Sequence, residues 1–169
     1  AWTYGWLRAV SHRYETTLKV FGIDMSKAFD SIIRSKLMLI LEHEVGLESS
    51  ELRLIRALLA STTLRVKIQG QLGKKFTTLM GIPQGDALSP VLFVVYLEAA
   101  MREVRALFSV QEDGRYVSSD WFQDVMEAAY ADDVDFICVD EPRLQERLNK
   151  SIAIFAKYNL TVNATKTER

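Results

Sequence analysis

The chain has 169 residues, of which 49% are hydrophobic and 25% charged, so it can bury a globular core and is not a disordered tail. Its net charge of −1 does not suit a freestanding nucleic-acid binder, which usually carries a basic surface. The single cysteine excludes an internal disulfide, and the longest apolar run, residues 91–97, is too short for a membrane span of about 20 residues. We therefore expect an intracellular protein with no membrane partner, whose nuclear or cytoplasmic location does not follow from the sequence.

The first predicted elements are a helix, a strand and a second helix. Residues 1–14 predict the helix, and residues 18–24 (LKVFGID) predict a buried strand that ends in an acid. Asp30 or Ser31 is expected to cap the next helix, which runs to about Val45, where a glycine follows.

The middle of the chain predicts a helix, a hairpin and a long helix. Ser49 or Ser50 is expected to cap the first of these. Residues 64–68 and 75–79 flank two glycines, a pattern typical of a β-hairpin with a short loop. A long apolar helix is predicted from Ser89 to about residue 108, with a proline in its first turn.

The last part of the chain predicts a second hairpin followed by a helix and a short strand. The hairpin strands are residues 125–130 and 134–139, the amphipathic helix is residues 142–158, and the last strand is residues 160–162. This order mixes helices with hairpins, which favours an α+β fold over a doubly wound parallel sheet.

Carboxylates lie at the ends of predicted strands at two places in the chain. Asp132 and Asp133 lie between two apolar runs, and adjacent like charges need a counter-charge, for which a divalent metal is suited. Asp24 ends another apolar strand, and two such strands in one sheet can hold two metals for in-line phosphoryl transfer. The alternatives are a solvated acidic turn at residues 132–133 and a turn or cap residue at Asp24.

A glycine-rich loop lies at residues 81–85 (GIPQG). Its two glycines and proline fix a backbone that a nucleotide could approach closely, and Gln84 can both donate and accept hydrogen bonds. Taken alone, however, the loop is better interpreted as a plain connection to the helix at Ser89.

In chain order, four segments resemble the motifs of the reverse transcriptase family. They are residues 21–30 (FGIDMSKAFD), 81–90 (GIPQGDALSP), 130–133 (YADD) and 163–167 (NATKT). The first two look most like retrotransposons without long terminal repeats, and group II intron reverse transcriptases and maturases are also similar. The resemblance implies an RNA-directed DNA polymerase with a palm fold, an antiparallel sheet packed on helices, and part of the fingers.

The resemblance also implies roles for single residues. Asp24, Asp132 and Asp133, with the main-chain carbonyl of Met25, would bind two Mg²⁺ ions, for which Mn²⁺ could substitute. Lys166 would act as a catalytic cation and general acid near the triphosphate, or alternatively be a solvated lysine.

The nucleotide site follows from the same resemblance. Phe29 would lie under the sugar and exclude a 2′-hydroxyl. The triphosphate would face the backbone of three residues: Ser26, Lys27 and Ala28. Gln84 and Gly85 would line the nucleotide pocket.

The implied partners are an RNA or DNA template with its primer, deoxynucleoside triphosphates, and flanking domains of a larger polyprotein. We expect residues 1–169 to form a single reverse transcriptase domain fragment of palm and partial fingers, with the fingertips and thumb lying elsewhere. Those parts would supply most phosphate contacts, so we expect the isolated fragment to be weak or inactive.

Other functions remain open. An RNA-dependent RNA polymerase typically has Gly-Asp-Asp at the turn and a smaller or polar residue where Phe29 stands. A catalytically inert descendant could act as a scaffold. A calcium module built on residues 132, 133, 135 and 140 lacks the usual glycine and terminal glutamate. Cys138 is expected to be a packed strand residue rather than a ligand.

Overall fold

The computed structural model describes residues 2–13, 15–60, 63–108, 126–130 and 133–163. The described helices are α1 (Trp2–Arg13), α2 (Ala28–Ser31), α3 (Arg34–His43), α4 (Ser49–Ala60), α5 (Ser89–Phe108) and α6 (Glu141–Lys157). The described strands are β1 (Lys19–Ser26), β2 (Thr63–Leu64), β3 (Lys67–Ile68), β4 (Gln71–Leu72), β5 (Phe76–Thr77), β6 (Met126–Tyr130), β7 (Asp133–Cys138) and β8 (Thr161–Val162). The chain divides into two compact units, residues 1–26 with 101–169, and residues 27–100.

The first unit is organised around a four-stranded antiparallel sheet in the order β6-β7-β1-β8. Side chains alternate between the two faces of a strand, and the register pairs Ile23 with Val134 and Phe21 with Phe136 on one face. Ile23, Val134 and Phe136 are at most 1% exposed, so this face forms the core of the unit.

Helix α6 contacts β7, β1 and β8. It begins where Asp140 Oδ1 accepts a hydrogen bond from the backbone N–H of Arg143 at 3.1 Å, a side-chain N-cap that satisfies one of the free donors of the first turn. Leu144, Leu148 and Phe155 recur at helical spacing and are buried. The predicted amphipathic helix is therefore confirmed.

Glu127 of β6 joins three elements of this unit. Its carboxylate accepts from Arg105 Nε of α5 at 2.7 Å and from Arg147 of α6. The guanidinium of Arg147 also lies 6.0 Å from the ring centroid of Phe136, within cation–π range. One acid on β6 thus connects the strand to two helices.

In the second unit, α3 and α4 contact each other. The predicted long helix is observed as α5, of which residues 89–100 belong to the second unit and residues 101–108 to the first. The prediction that Asp30 or Ser31 caps a continuous helix is wrong. Both residues lie inside the short α2, after which Ile32 takes an extended conformation (φ −60°, ψ 125°) and is fully buried. Burying this side chain interrupts the helix, and α3 then starts without a side-chain cap.

The predicted cap of α4 is also wrong. Ser49 is already the first helical residue, so the cap position belongs to Glu48. The carboxylate of Glu51 accepts a hydrogen bond from the Glu48 backbone N–H at 2.8 Å, so the acid three residues on satisfies this donor.

Both predicted hairpins are present. The first consists of β2 paired with β5 and β3 paired with β4, and the second of β6 paired with β7. The predicted strand at residues 18–24 continues past Asp24, because Met25 and Ser26 pair with β8. Cys138 is 1% exposed in β7, as predicted for a packed strand residue. None of the helices in the described part of the chain combines the length and the hydrophobicity that a membrane-spanning segment needs.

Candidate active site

Asp24 and Asp133 are direct partners in the β1–β7 ladder. Opposite residues in an antiparallel pair have Cα atoms about 4.5–5.5 Å apart, so the pairing brings together two acids that more than 100 positions separate in the chain. The neighbouring pair, Ile23 with Val134, is buried and belongs to the core. A slip of one residue would turn the core residues outwards, so hydrophobic burial fixes the register that places the acids together.

A third acid, Asp135, belongs to the same face of the sheet. It pairs with Gly22, and pairs alternate between faces, so this pair and the Asp24–Asp133 pair share one face. A Cβ atom added to Gly22 would lie 3.0 Å from Asp135 Oδ1. Gly22 therefore leaves the space that the Asp135 carboxylate occupies.

Asn163, just after β8, holds Asp24 through two hydrogen bonds. Its backbone N–H donates to the Asp24 carbonyl at 2.8 Å, and its side-chain Nδ2 donates to Asp24 Oδ2 at 3.1 Å. The first bond continues the pairing of β1 with β8, and the second orients the carboxylate. Asn163 belongs to the fourth motif, but its residue type and position predicted no role for it.

Three of the predicted site features lie outside the described part of the chain: Asp132, Lys166 and the side chain of Asp133. Among the described residues, no group of three or more His, Cys, Asp or Glu side chains is close enough to hold a metal. The metal-binding roles predicted for the acids therefore stay predictions. The calcium alternative also used Asp140, which caps α6.

Met25 and Ser26 continue β1 and pair with Val162 and Thr161 of β8. The side chain of Met25 is 2% exposed and belongs to the core. The metal-binding role predicted for its main-chain carbonyl stays a prediction.

The other predicted nucleotide residues belong to the second unit. Lys27 has a left-handed backbone (φ 51°, ψ 41°), an uncommon conformation for a residue with a side chain. Its carbonyl accepts from both the N–H and the hydroxyl of Ser31, at 3.0 and 2.9 Å. Ala28 is buried, whereas Lys27 is exposed. These contacts fix the sharp turn that begins α2.

Phe29 stacks on Phe93 of α5, with ring centroids 4.9 Å apart and an interplanar angle of 26°. Its carbonyl accepts a hydrogen bond from the N–H of Ile82 at 3.0 Å. The ring is therefore fixed from one side by an aromatic contact, and its main chain is joined to the loop at residues 81–85.

Gly81 lies directly against the α2 backbone. Its N–H donates to the Ile32 carbonyl at 2.8 Å, and its φ of +75° is in the region that favours glycine. An added Cβ atom would lie 2.8 Å from the Cα atom of Asp30 and 2.9 Å from its carbonyl oxygen. The first glycine of the loop is thus required both by conformation and by space.

Arg34 of α3 connects this loop to α4 and to the residue that follows β5. Its Nε donates to the Gly81 carbonyl at 2.7 Å, and Nη1 donates to the Leu59 and Thr78 carbonyls at 2.9 and 2.8 Å. Nη2 donates to Thr78 Oγ1 at 2.9 Å. Burial lowers the pKa of the Arg34 guanidinium, which nevertheless stays charged because an arginine side chain is not deprotonated in proteins. Arg34 was not among the predicted residues, since an arginine in a helix gives no signal of these contacts.

Gln84 and Gly85 are exposed, and Gly85 has a φ of +95°. The next residue, Asp86, accepts hydrogen bonds through Oδ1 from the N–H groups of Leu88 and Ser89 at 2.8 and 2.6 Å, and through Oδ2 from the Ser89 hydroxyl at 3.0 Å. The bond from the Ser89 N–H contributes most to lowering the pKa of Asp86. Asp86 therefore anchors the exposed end of the loop to the start of α5.

The fold is that of a polymerase palm. A telomerase from Candida albicans, solved in complex with a TWJ fragment of telomeric RNA, superposes with a TM-score of 0.72 over 95% of this chain and 28% of its own, at 16% identity. A telomerase from Candida tropicalis in its apo form, truncated from the C-terminal domain, gives 0.67 over 98% of this chain and 33% of its own, at 18% identity. The predicted α+β polymerase palm with part of the fingers is confirmed.

The chain belongs to the reverse transcriptase family, since the family model described as reverse transcriptase (RNA-dependent DNA polymerase) matches residues 8–169. It is similar to the Pol polyprotein of the type-2 retrotransposable element R2DM of Drosophila melanogaster, with 23% identity over 92% of this chain. It is also similar to the Pol polyprotein of the type-1 retrotransposable element R2 of Bradysia coprophila, with 27% identity over 95%. The chain spans 14% and 17% of these two proteins. The predicted resemblance to retrotransposons without long terminal repeats is confirmed.

Proposed function

We propose that this chain is the catalytic core of an RNA-directed DNA polymerase within a larger retrotransposon polyprotein. It would transfer a nucleotidyl group from a deoxynucleoside triphosphate to the 3′-hydroxyl of a primer. The observation that carries the proposal is the direct pairing of Asp24 with Asp133 on the antiparallel ladder. The family match and the retrotransposon relatives support the same reaction.

The proposed metal ligands are all oxygen atoms, which a hard divalent cation prefers. Mg²⁺ takes oxygen ligands and keeps several waters or substrate phosphates, so two or three carboxylates and a carbonyl are enough. Asp24, Asp133 and the adjacent Asp132 would supply the carboxylates, and the Met25 carbonyl a further oxygen. Two such ions would stabilise the charge on the attacking and leaving oxygens of the displacement.

Other residues of the chain would orient the metal-binding carboxylates and the substrates. Asn163 occupies one hydrogen-bonding direction of Asp24 Oδ2 and so limits rotation of that carboxylate. In the reaction the primer 3′-hydroxyl would lose its proton to solvent as its oxygen attacks the α-phosphorus, and the bond from that phosphorus to pyrophosphate would break. Lys166 would donate a proton to the leaving pyrophosphate, a role that rests on the family resemblance.

Phe29 would select the sugar. Its ring is held by the stack on Phe93, and its main chain is bonded to Ile82, so the ring cannot withdraw easily from a bulky substituent. An aromatic residue in this position would exclude a 2′-hydroxyl and favour deoxynucleotides.

The test compares Asp24→Asn with Asp135→Asn in the parent polyprotein. Both substitutions remove one charge from the same sheet face, but only Asp24 is assigned to the metals. We expect Asp24→Asn to reduce primer extension on an RNA template by at least about 100-fold, the order for losing a few kcal/mol of transition-state stabilisation. Binding of Mn²⁺, measured by paramagnetic broadening, should weaken in parallel.

Equal losses of primer extension in the two variants would show that activity depends on the net charge of this sheet face rather than on Asp24 as a metal ligand. No primer extension by the unsubstituted polyprotein, with Mn²⁺ binding intact, would instead favour a catalytically inert scaffold.

A further inference from the structure

Glu127 lies on the face of the sheet that forms the core of the first unit. It pairs with Phe136, and residues directly opposite each other in an antiparallel pair share one face. Phe136 is buried there together with Ile23 and Val134, and only 11% of the Glu127 side chain is exposed. A carboxylate in such a place is costly unless it is paired and hydrogen-bonded, whereas an apolar side chain would be stabilising. The acid at this position therefore needs a physical reason.

Two cations from two helices compensate the Glu127 carboxylate. Arg105 Nε of α5 donates to Oε2 at 2.7 Å, and Arg147 Nη2 of α6 donates to Oε1. The Arg147 side chain is itself only 10% exposed. Because each carboxylate oxygen accepts a charge-assisted hydrogen bond from a different helix, the carboxylate cannot rotate without losing one of the two contacts. Glu127 thus fixes β6 to both helices at one point.

β6 is an edge strand of the described sheet. In the order β6-β7-β1-β8 it has a strand partner on one side only. Its last residue, Tyr130, pairs with Asp133, and Asp132 lies between these two residues in the chain. Glu127 precedes Tyr130 by three positions, about 10 Å along the strand. A shift of β6 relative to the helices would therefore move the acidic end of the hairpin.

Stability alone does not explain the ion pair between Glu127 and Arg147. Replacing a buried ion pair by apolar residues of similar volume is often neutral or stabilising, because the attraction of the two charges only offsets the cost of removing them from water. An ion pair differs from apolar packing in that its hydrogen bonds are directional. The pair is therefore better suited to fixing the place of β6 than to adding stability.

We propose that Glu127 is a positioning residue for the metal-binding carboxylates. By accepting from one helix on each carboxylate oxygen, it holds β6 in the place that brings Asp132 and Asp133 to Asp24. The proposal rests on the proposed function for the role of these acids. The placement of β6 itself requires neither metal nor substrate.

The first test compares Glu127→Gln with Glu103→Gln in the full chain. Glu103 of α5 also joins two helices, because it accepts from Lys157 Nζ of α6 at 3.2 Å and from the Tyr158 hydroxyl at 2.7 Å, but it does not belong to the sheet. We expect Mn²⁺ binding, measured by paramagnetic broadening, to weaken about 10-fold or more in Glu127→Gln, the scale for residues that orient metal ligands. Glu103→Gln should leave this affinity unchanged.

Hydrogen exchange in EDTA measures the placement of β6 without metal. We expect exchange to accelerate at the β6 amides that pair with β7 in Glu127→Gln, and to stay unchanged there in Glu103→Gln, because only the first variant releases the edge strand. In the parent polyprotein, Glu127→Gln should lower the maximal rate of primer extension about 10-fold or more. The KM for the deoxynucleoside triphosphate should change less, because the metal ligands and not the nucleotide contacts are displaced.

The double variant Glu127→Leu/Arg147→Met separates position from folding and from charge. It removes both members of the buried pair, so its urea midpoint should stay close to that of the unsubstituted chain. It also leaves the net charge unchanged, so weaker Mn²⁺ binding cannot result from a change in charge. We expect its affinity for Mn²⁺ to fall about 10-fold, since no directional contact from Glu127 then holds β6.

Unchanged Mn²⁺ affinity in a folded double variant would overturn the proposal, as would equal effects of Glu127→Gln and Glu103→Gln. If the unsubstituted chain bound no Mn²⁺, the proposed function would fail. Faster exchange confined to Glu127→Gln would in that case still support the placement of β6 by this residue.

Discussion

The two units hold their predicted site residues in different ways. In the first unit, Asp24 and Asp133 are fixed by a ladder whose six residue pairs share the register. In the second unit, the loop at residues 81–85 is fixed by a few specific contacts to Gly81 and by one guanidinium, that of Arg34. Cooperative pairing spreads the stabilisation over many bonds, so single substitutions should disturb the ladder less than the loop.

The largest expected effect is that of Gly81→Ala. The new Cβ atom would meet the Asp30 backbone at 2.8 Å and the residue would have to keep a positive φ. We expect the free energy of unfolding to fall by about 3 kcal/mol, from strain and overpacking together. Urea denaturation measures it, with Gly46→Ala as control, because Gly46 has a similar φ of 79° and open space around it. Equal destabilisation in both variants would mean that the contact with Asp30 contributes nothing.

The second prediction concerns Arg34→Met. The substitution keeps much of the aliphatic stem but removes the guanidinium hydrogen bonds to the Gly81, Leu59 and Thr78 carbonyls. We expect a loss of about 2 kcal/mol in the free energy of unfolding, because hydrogen bonds from a charged donor contribute more than neutral ones. Hydrogen exchange should also accelerate at the Ile82 N–H. Arg53→Met, on an exposed face of α4, is the control, and an equal loss there would contradict the connecting role of Arg34.

The third prediction concerns Asn163→Ala, which removes a side-chain contact to Asp24 in the ladder. The bond from the Asn163 N–H to the Asp24 carbonyl remains, and only the side-chain bond to Asp24 Oδ2 is lost. We expect about 1 kcal/mol or less of destabilisation, but weaker Mn²⁺ binding by about 10-fold or more, the scale for residues that orient a metal ligand. Asn149→Ala removes an exposed amide of α6 as control. Unchanged Mn²⁺ affinity would remove Asn163 from this role.

The smallest effect is expected for Asp86. Its pKa is lowered in the folded state, first by the bond from the Ser89 N–H, so its ionised form stabilises the fold. That contribution is fully present above the ordinary carboxyl value of 3.8 and is lost as the pH falls through the lowered folded pKa. Urea midpoints measured below pH 5 should fall less steeply with decreasing pH in Asp86→Asn than in the unsubstituted chain. Parallel profiles would show that the Asp86 carboxylate makes no pH-dependent contribution to stability.

Sequence patterns predicted the elements of the first unit well, because its strands and its last helix carry regular periodicities. The pairing of Asp24 with Asp133 follows from two apolar strands that each carry an acid, which is visible in the chain. The predicted caps at Asp30 and Ser49 failed for a different reason. Helix starts there depend on the burial of Ile32 and on the reach of Glu51, which are tertiary and side-chain details that no local pattern encodes.

The residues that the sequence analysis missed act through contacts far apart in the chain. Arg34 bonds to carbonyls 25 to 47 positions away, and Asn163 bonds to a carboxylate 139 positions away. An arginine in a helix and an asparagine after a strand are common, so their residue types carry little information. Only the fold reveals which main-chain groups they reach.

Gly22 and Asp135 compete for the same space on the sheet face that carries Asp24. A Cβ atom added to Gly22 would lie 3.0 Å from the carboxylate of Asp135. The two positions should therefore show epistasis. Alanine at position 22 should be costly beside aspartate, and milder beside a shorter residue such as serine at position 135, so that the double variant is more stable than the two single effects would sum to. Evolutionary change at either position would then depend on the residue already present at the other.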